Sequence, residues 1–314
     1  MTVTYTAHGK LMITGEYLAL LGARCLAWPT KATQTMDVTT MASAPGTLIW
    51  NAIDHEGNPW FDALIATDGP YEVISASDPI VADKLIHMLE QARKMGGREL
   101  GNQAYSVETN THWPMEWGLG SSSSLIVNLA AWLEVNPFEL QKNTIGGSGY
   151  DIACGMSDSP IVFQMADKLL VGKVSRPPVL LEYAGFAYLG QKASTSDAIK
   201  NFHDKVANVD VSKKIDLVNR LAYHILDGEK VGNIIKAIEI HEETIGYLLD
   251  IEPIKRRMFP DFNGMVKSLG AWGGDFVMFV GREPLKDYKE ATEKEYGLKL
   301  YLSLIHISEP TRPY

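Results

Sequence analysis

The sequence predicts a mixed fold of strands and helices, and three observations carry that prediction. The first third is a succession of alternating apolar and polar runs broken by glycine-containing turns, the mark of short strands. The second half carries two long amphipathic stretches, about 211–227 and 229–250, with the apolar spacing of helices. At 314 residues the chain exceeds the usual size of one hydrophobic core, so two lobes or one large α/β unit is expected. The 46% hydrophobic and 21% charged residues are those of an ordinary soluble globular protein.

In chain order, Thr2 to Thr6 alternates and Leu11-Met12-Ile13 follows, which predicts two short strands flanking Ala7-His8-Gly9-Lys10. Residues 33–41 and 47–66 read as further strands, the latter folded at Glu56-Gly57-Asn58-Pro59. Asp78-Pro79 opens a helix that runs to Gly96-Gly97, because proline suits the first helical position and Ile80, Val81, Leu85, Ile86, Leu89 and Ala92 recur at helical spacing. Tyr105–Glu108 is a strand, and Asn136-Pro137-Phe138-Glu139 opens a short helix. Strands follow at 161–163, 169–171 and 186–189, and Lys192–Asp197 reads as a capped helix start. Residues 264–275 read as a glycine-rich loop before the apolar strand Phe276–Val280. The boundary between lobes is placed near Ser175-Arg176-Pro177-Pro178.

The stretch around which these elements are organised is Pro114-Met115-Glu116-Trp117-Gly118-Leu119-Gly120-Ser121-Ser122-Ser123-Ser124. Its glycines allow close backbone approach, and an apolar run from Leu125 continues as a helix. A loop entering a helix N-terminus offers unpaired N–H groups and the positive end of the helix dipole, which suits a phosphate. The serines can cap the helix, donate to phosphate oxygens or face Mg²⁺; a serine-capped core helix is the plainer alternative. Downstream, Gly146-Gly147-Ser148-Gly149 precedes Asp151, which either delivers a carboxylate to a fixed place or caps the segment that follows. Lys10 is either a solvated turn residue or a point charge aimed at oxyanions.

Charge narrows the partners. With 29 basic against 38 acidic residues the formal charge is −9, and Lys255-Arg256-Arg257 is the longest basic run. Neither nucleic acid nor an anionic membrane is expected as a partner. Two cysteines, Cys25 and Cys154, lack metal-ligand spacing, and no secretory leader or spanning apolar run is read, so a reduced, cytoplasmic protein is expected. The sequence carries no signal for oligomeric state.

Ala7-His8-Gly9-Lys10, Pro114-x-x-x-Gly118-Leu119-Gly120-Ser121-Ser122, Gly149-Tyr150-Asp151 and Gly270-Ala271-x-Gly273-Gly274 resemble, in order, the motifs of the GHMP small-molecule kinases. The Gly-Tyr-Asp-Ile-Ala wording is that of the GYDIA subgroup, and among characterised members the motifs look most like phosphomevalonate and mevalonate kinases. The resemblance covers residues from about 5 to about 300. It implies a two-lobe α+β fold, with a ribosomal-protein-S5-like lobe over 1–176 and a ferredoxin-like lobe over 177–301.

The same resemblance implies ATP as phosphoryl donor and Mg²⁺ as its cation, with phosphomevalonate favoured over mevalonate as acceptor. Homoserine or a sugar as acceptor, and a catalytically silent ATP sensor, are the alternatives. Asp151 and Lys10 are then the catalytic pair, and Gly118, Leu119, Gly120, Ser121, Ser122, Ser123 and Ser124 bind ATP. Ser122 and Glu139 are the metal candidates. Glu16, Lys192, Thr195, Lys267, Gly270, Ala271, Gly273 and Gly274 are expected to form the acceptor side, with Lys192 and Lys267 offsetting the charge of a phosphorylated acceptor. Two departures stand out: His8 replaces the family's usual proline, and Glu116 replaces a glycine usual in mevalonate kinases. Residues 302–314 read as the translation of a sequencing adapter, so this segment is expected not to be native and His306 not to be a ligand.

Overall fold

The computed structural model describes residues 1–42, 44–165, 169–174, 179–190, 195–270, 272 and 276–301. The segment 302–314 lies outside them. The first strand, β1 (Thr2–Thr14), is continuous, in place of the two short strands expected around residues 7–10. Burial alternates through His8-Gly9-Lys10 and β1 pairs with the next strand, so the ladder supplies the hydrogen bonds that a turn would have broken.

The remaining elements run in order: β2 (Cys25–Met41), β3 (Thr47–Ile53), β4 (Pro59–Ala66), β5 (Glu72–Ala76), α1 (Pro79–Lys94), β6 (Ala104–Thr111), α2 (Ser121–Leu133), α3 (Pro137–Asn143), α4 (Tyr150–Gly155), β7 (Ile161–Met165) and β8 (Leu169–Lys173). Then come α5 (Leu180–Tyr183), β9 (Ala184–Tyr188), α6 (Thr195–Val206), α7 (Ser212–Leu226), α8 (Val231–Leu249), α9 (Ile254–Met258), β10 (Gly264–Ser268), β11 (Phe276–Gly281) and α10 (Leu285–Tyr296). Two short 3-10 turns lie at Leu18–Leu21 and Met115–Trp117. Residues 264–268, expected to belong to a loop, are a buried strand: every residue from Gly264 to Ser268 finds a partner on β11. Helix α10 has no counterpart in the sequence reading, because it buries only Leu285 and Thr292 in a polar segment and leaves little apolar period to detect.

The chain forms two compact units that interleave. The first comprises Met1–Gly9, Ala32–Met115 and Leu119–Met156; the second comprises Lys10–Lys31, Glu116–Gly118 and the chain from Ser157 on. In the first unit the strand order is β5-β4-β3-β6-β2, antiparallel except for the parallel β3–β6 pair. Alternate residues of β3, Leu48, Trp50 and Ala52, join Leu85, Leu89 and Ala92 of α1 and Ile126, Leu129 and Trp132 of α2 in one core. Burial of each such side chain stabilises the unit by about 1.5–3 kcal/mol. In the second unit β10, β11 and β9 make an antiparallel sheet. Phe259, Phe262, Val266 and Phe279 pack in one core there, and Phe202, Val218, Ile245 and Leu248 in another. No helix among the described residues is long and apolar enough to cross a membrane, and both cysteines are buried.

Local signals set the ends of the first helices. Asp78 caps α1, its carboxylate accepting from the N–H groups of Ile80 and Val81, and Asn136 caps α3 in the same way. Replacing Asp78 by alanine is expected to cost about 1 kcal/mol of unfolding free energy, measured by urea titration, because both N–H groups lose their acceptor.

Candidate active site

The loop after the Met115–Trp117 turn enters α2 through two glycines in left-handed conformation, Gly118 at φ 66° and Gly120 at φ 91°. Gly120 is the N-cap and brings no side chain, so the serines do not cap this helix. The first bond of the helix runs from the Ser124 N–H to the Gly120 carbonyl, which leaves the N–H groups of Ser121, Ser122 and Ser123 ahead of the ladder. Such an uncapped N-terminus, at the positive end of the helix dipole, is suited to an anion.

The four hydroxyls divide by partner. That of Ser124 is buried against Gln34 Oε1 and the carbonyls of Gly120 and Ser121. That of Ser123 donates to Asp151 Oδ2. Those of Ser121 and Ser122 have no protein hydrogen bond among the described residues, and Ser122 is exposed.

Asp151 sits in the first turn of α4, whose N-cap is Gly149 at φ 90°; capping is therefore not its role. Its second oxygen, Oδ1, accepts from Gln141 Nε2 at 2.8 Å. One donor on each oxygen sets the plane of the carboxyl group and leaves each oxygen a further lone pair. Gln141, on the buried side of α3, was not foreseen; apart from its place beside Leu140 the sequence holds no signal for it. Gly147, at φ 112°, makes room for it: a Cβ there would lie 3.3 Å from Gln141 Nε2.

In the second unit, Lys10 is half-buried on β1 and its Nζ donates to the Gly118 carbonyl at 3.1 Å. Glu16 and Lys267, expected on the acceptor side, are instead fully buried in a polar cluster. The Lys267 ammonium spends its three protons on Glu16 Oε1, Glu242 Oε1 at 3.3 Å and the Ser268 carbonyl at 2.9 Å. No donor remains for an acceptor phosphate, because the pairing satisfies an ion that the core could not otherwise hold.

The other groups facing this cluster are His241 and Glu242 of α8. The Gly15 N–H donates to His241 Nε2 at 3.0 Å, which puts the ring proton on Nδ1. Burial, and after it the Lys267 charge, holds His241 well below its usual value, so its 3.4 Å approach to Glu16 is a contact of a neutral ring and no ion pair. Burial also raises the Glu16 carboxyl against the pull of Lys267. Burial pushes Glu242 up to about 7, Lys267 opposing and Glu16 adding to the rise.

Glu139 is exposed in the first turn of α3, and no group of three or more His, Cys, Asp or Glu side chains placed to hold a metal is found among the described residues. Gly270 takes φ 68° after β10. Lys192, Ala271, Gly273 and Gly274 lie outside the described residues, as does the side chain of Thr195, the first residue of α6.

No protein-family model matches the sequence, and no curated protein matches it. Solved structures do. Lactococcus lactis galactokinase complexed with galactose superposes with a TM-score of 0.69 at 12% identity, over 97% of this chain and 94% of that one. Streptococcus pneumoniae phosphomevalonate kinase in complex with phosphomevalonate and AMPPNP gives 0.67 at 18%, over 95% and 98%. Methanococcus jannaschii mevalonate kinase gives 0.66 at 13%, over 96% and 97%. The chain thus has the two-lobe α+β fold of these kinases.

The buried cluster generates a pH prediction. Glu242 is raised from 4.5 in the unfolded chain to about 7 in the fold, so its contribution to stability is fully present below about 4.5 and is lost as pH rises through about 7. His241 works in the opposite direction, its contribution being lost as pH falls below 6.5. Glu242→Gln keeps the neutral shape and isolates the first effect. The stability of the wild type relative to Glu242→Gln, read from urea melts, is expected to decline between about pH 4.5 and 7 and then level off. Parallel pH profiles in the two proteins would show Glu242 to be ionised throughout.

Proposed function

We propose that this chain transfers the γ-phosphoryl group of ATP to a small-molecule acceptor, phosphomevalonate or mevalonate. One observation carries the reading: the carboxyl group of Asp151 is bonded to Ser123, in the first turn of a helix whose N-terminus is left uncapped. A carboxylate and a phosphate-suited helix end are thereby tied together within one unit. The fold shared with kinases of phosphomevalonate, mevalonate and galactose supports the same chemistry.

In this reading the phosphates of ATP lie against the first turn of α2 and the N–H groups of Ser121, Ser122 and Ser123. Phosphoryl transfer requires positioning and charge neutralisation more than covalent help from the protein. The acceptor oxygen bonds to the γ-phosphorus, the bond from that phosphorus to the β–γ bridging oxygen breaks, and ADP leaves. With mevalonate, the hydroxyl proton passes to Asp151, which Gln141 and Ser123 hold in orientation. With phosphomevalonate the attacking phosphate oxygen is already anionic, and Asp151 serves to orient it. Lys10, in the second unit, is anchored on the Gly118 carbonyl and supplies positive charge there.

Mg²⁺ fits this donor set. It keeps several waters and takes one or two protein oxygens beside the phosphates, so the hydroxyl of Ser122, with Glu139 as the candidate carboxylate, would hold it without a protein cage. When bound it would neutralise phosphate charge. The preference for a phosphorylated acceptor loses the support that Lys267 would have given, since that ammonium is internally paired.

Asp151→Asn is expected to bind Mg-ATP like the wild type and to lose turnover by roughly 10²–10⁴-fold if the residue accepts a proton. The assay is ADP release with mevalonate, phosphomevalonate, homoserine and galactose in turn. ATP binding by the wild type with background ADP release on every acceptor would replace the kinase by a nucleotide sensor.

A further inference from the structure

The turn that leads into the phosphate-suited loop is held from both sides. The carbonyl of Glu116 accepts from Tyr188 Oη at 3.1 Å, and the carbonyl of Gly118 accepts from Lys10 Nζ at 3.1 Å. Between them the Trp117 ring lies among three aromatic rings of the same unit. Its centroid is 5.4 Å from Phe276 and 5.2 Å from Tyr301, both edge-on, and 6.2 Å from Tyr188.

The platform under Trp117 is built before the indole is added. Tyr188 and Phe276 are direct partners across the β9–β11 ladder, and Tyr301 is bridged to Phe186 of β9. Aromatic pairs in such arrangements gain about 0.5–1.5 kcal/mol beyond their buried area. Nothing in the proposed chemistry requires an aromatic residue at 117, and a turn could be made without one. The ring therefore calls for a mechanical reading.

We propose that Trp117 and Tyr188 are positioning residues that clamp the turn 116–118, and that the clamp, closed by Lys10, fixes the Gly118–Leu119 peptide at the start of the phosphate-suited loop. The geometry that links them is the planar trans peptide, in which a carbonyl and the following N–H point in opposite directions. Fixing the Gly118 carbonyl on Lys10 turns the Leu119 N–H away from the ammonium. Without the clamp a two-glycine loop has wide backbone freedom, and each binding event must order it at an entropic cost. Lys10 on this view does two things, supplying charge and holding the loop.

The inference rests on the phosphoryl-transfer reading for its consequence, though not for its geometry, and the test separates the two. Trp117→Ala, Trp117→Phe and Tyr188→Phe are compared with the wild type by hydrogen exchange of the peptide covering 115–121 and by calorimetric titration with Mg-ATP. Trp117→Ala is expected to speed exchange in that peptide and to weaken Mg-ATP binding, each by about tenfold, with cooperative melting retained. Trp117→Phe should recover both to within about threefold, and Tyr188→Phe, which loses the bond to the Glu116 carbonyl, should give a loss of about threefold. Wild-type exchange and affinity in Trp117→Ala overturn the clamp, as does a Trp117→Phe protein no better than alanine. If Trp117→Ala does not fold, Tyr188→Phe decides, an unchanged exchange rate overturning the proposal. A wild type that binds no Mg-ATP overturns the kinase reading alone, and the clamp is then judged on exchange.

Discussion

The bond between Ser123 and Asp151 is the contact on which the first unit's candidate site depends. It couples three short helices: α2 through Ser123, α4 through Asp151 and, by way of Gln141, α3. Hydrogen bonds to a carboxyl group of this kind contribute about 1.5–3 kcal/mol when the group is charged, enough to select one rotamer over its neighbours. The glycines around them follow from that contact. Gly149 starts α4 without a competing side chain, and Gly147 leaves space for the Gln141 amide. A carboxyl group that capped its own helix would have spent its oxygens on backbone N–H groups. Here they are spent on side chains, and the group faces outward from the helix rather than along it.

The second unit meets a different problem, that of an ammonium ion with no water. Lys267 solves it with three acceptors, two of them carboxyl groups, so the cluster would carry an excess negative charge if both were ionised. Raised affinity of Glu242 and Glu16 for a proton relieves this. Removing Lys267 alone would leave two buried carboxyl groups facing each other, a loss of about 3–5 kcal/mol for a broken buried pair. The cluster links the turn after β1, helix α8 and strand β10.

Most of the secondary structure was legible because it is local. Asp78-Pro79 and Asn136-Pro137 announce α1 and α3 by capping chemistry, and the turn at residues 56–59 announces the break between β3 and β4. The loop-to-helix junction at Gly118–Ser124 was legible for the same reason: glycine and serine in that order have few other uses before an apolar run. The sequence could also nominate Asp151, because three glycines crowd just ahead of it. The continuity of β1 and the strand at 264–268 were not legible, since both depend on a partner strand far along the chain.

What tertiary structure alone decided is which polar side chains meet. Lys267 reads as a free cation in a glycine-rich segment, and only the approach of Glu16, 251 residues away, makes it an internal ion pair. Gln141, His241 and Tyr188 carry no mark in the sequence, because an amide, imidazole or phenol is specified by its partner rather than by its neighbours. The chain by itself determined the elements, the phosphate-suited loop and the residue types available for chemistry. Their pairing belongs to the fold, since hydrogen bonds and charges act over a few ångströms of space and are indifferent to distance along the chain.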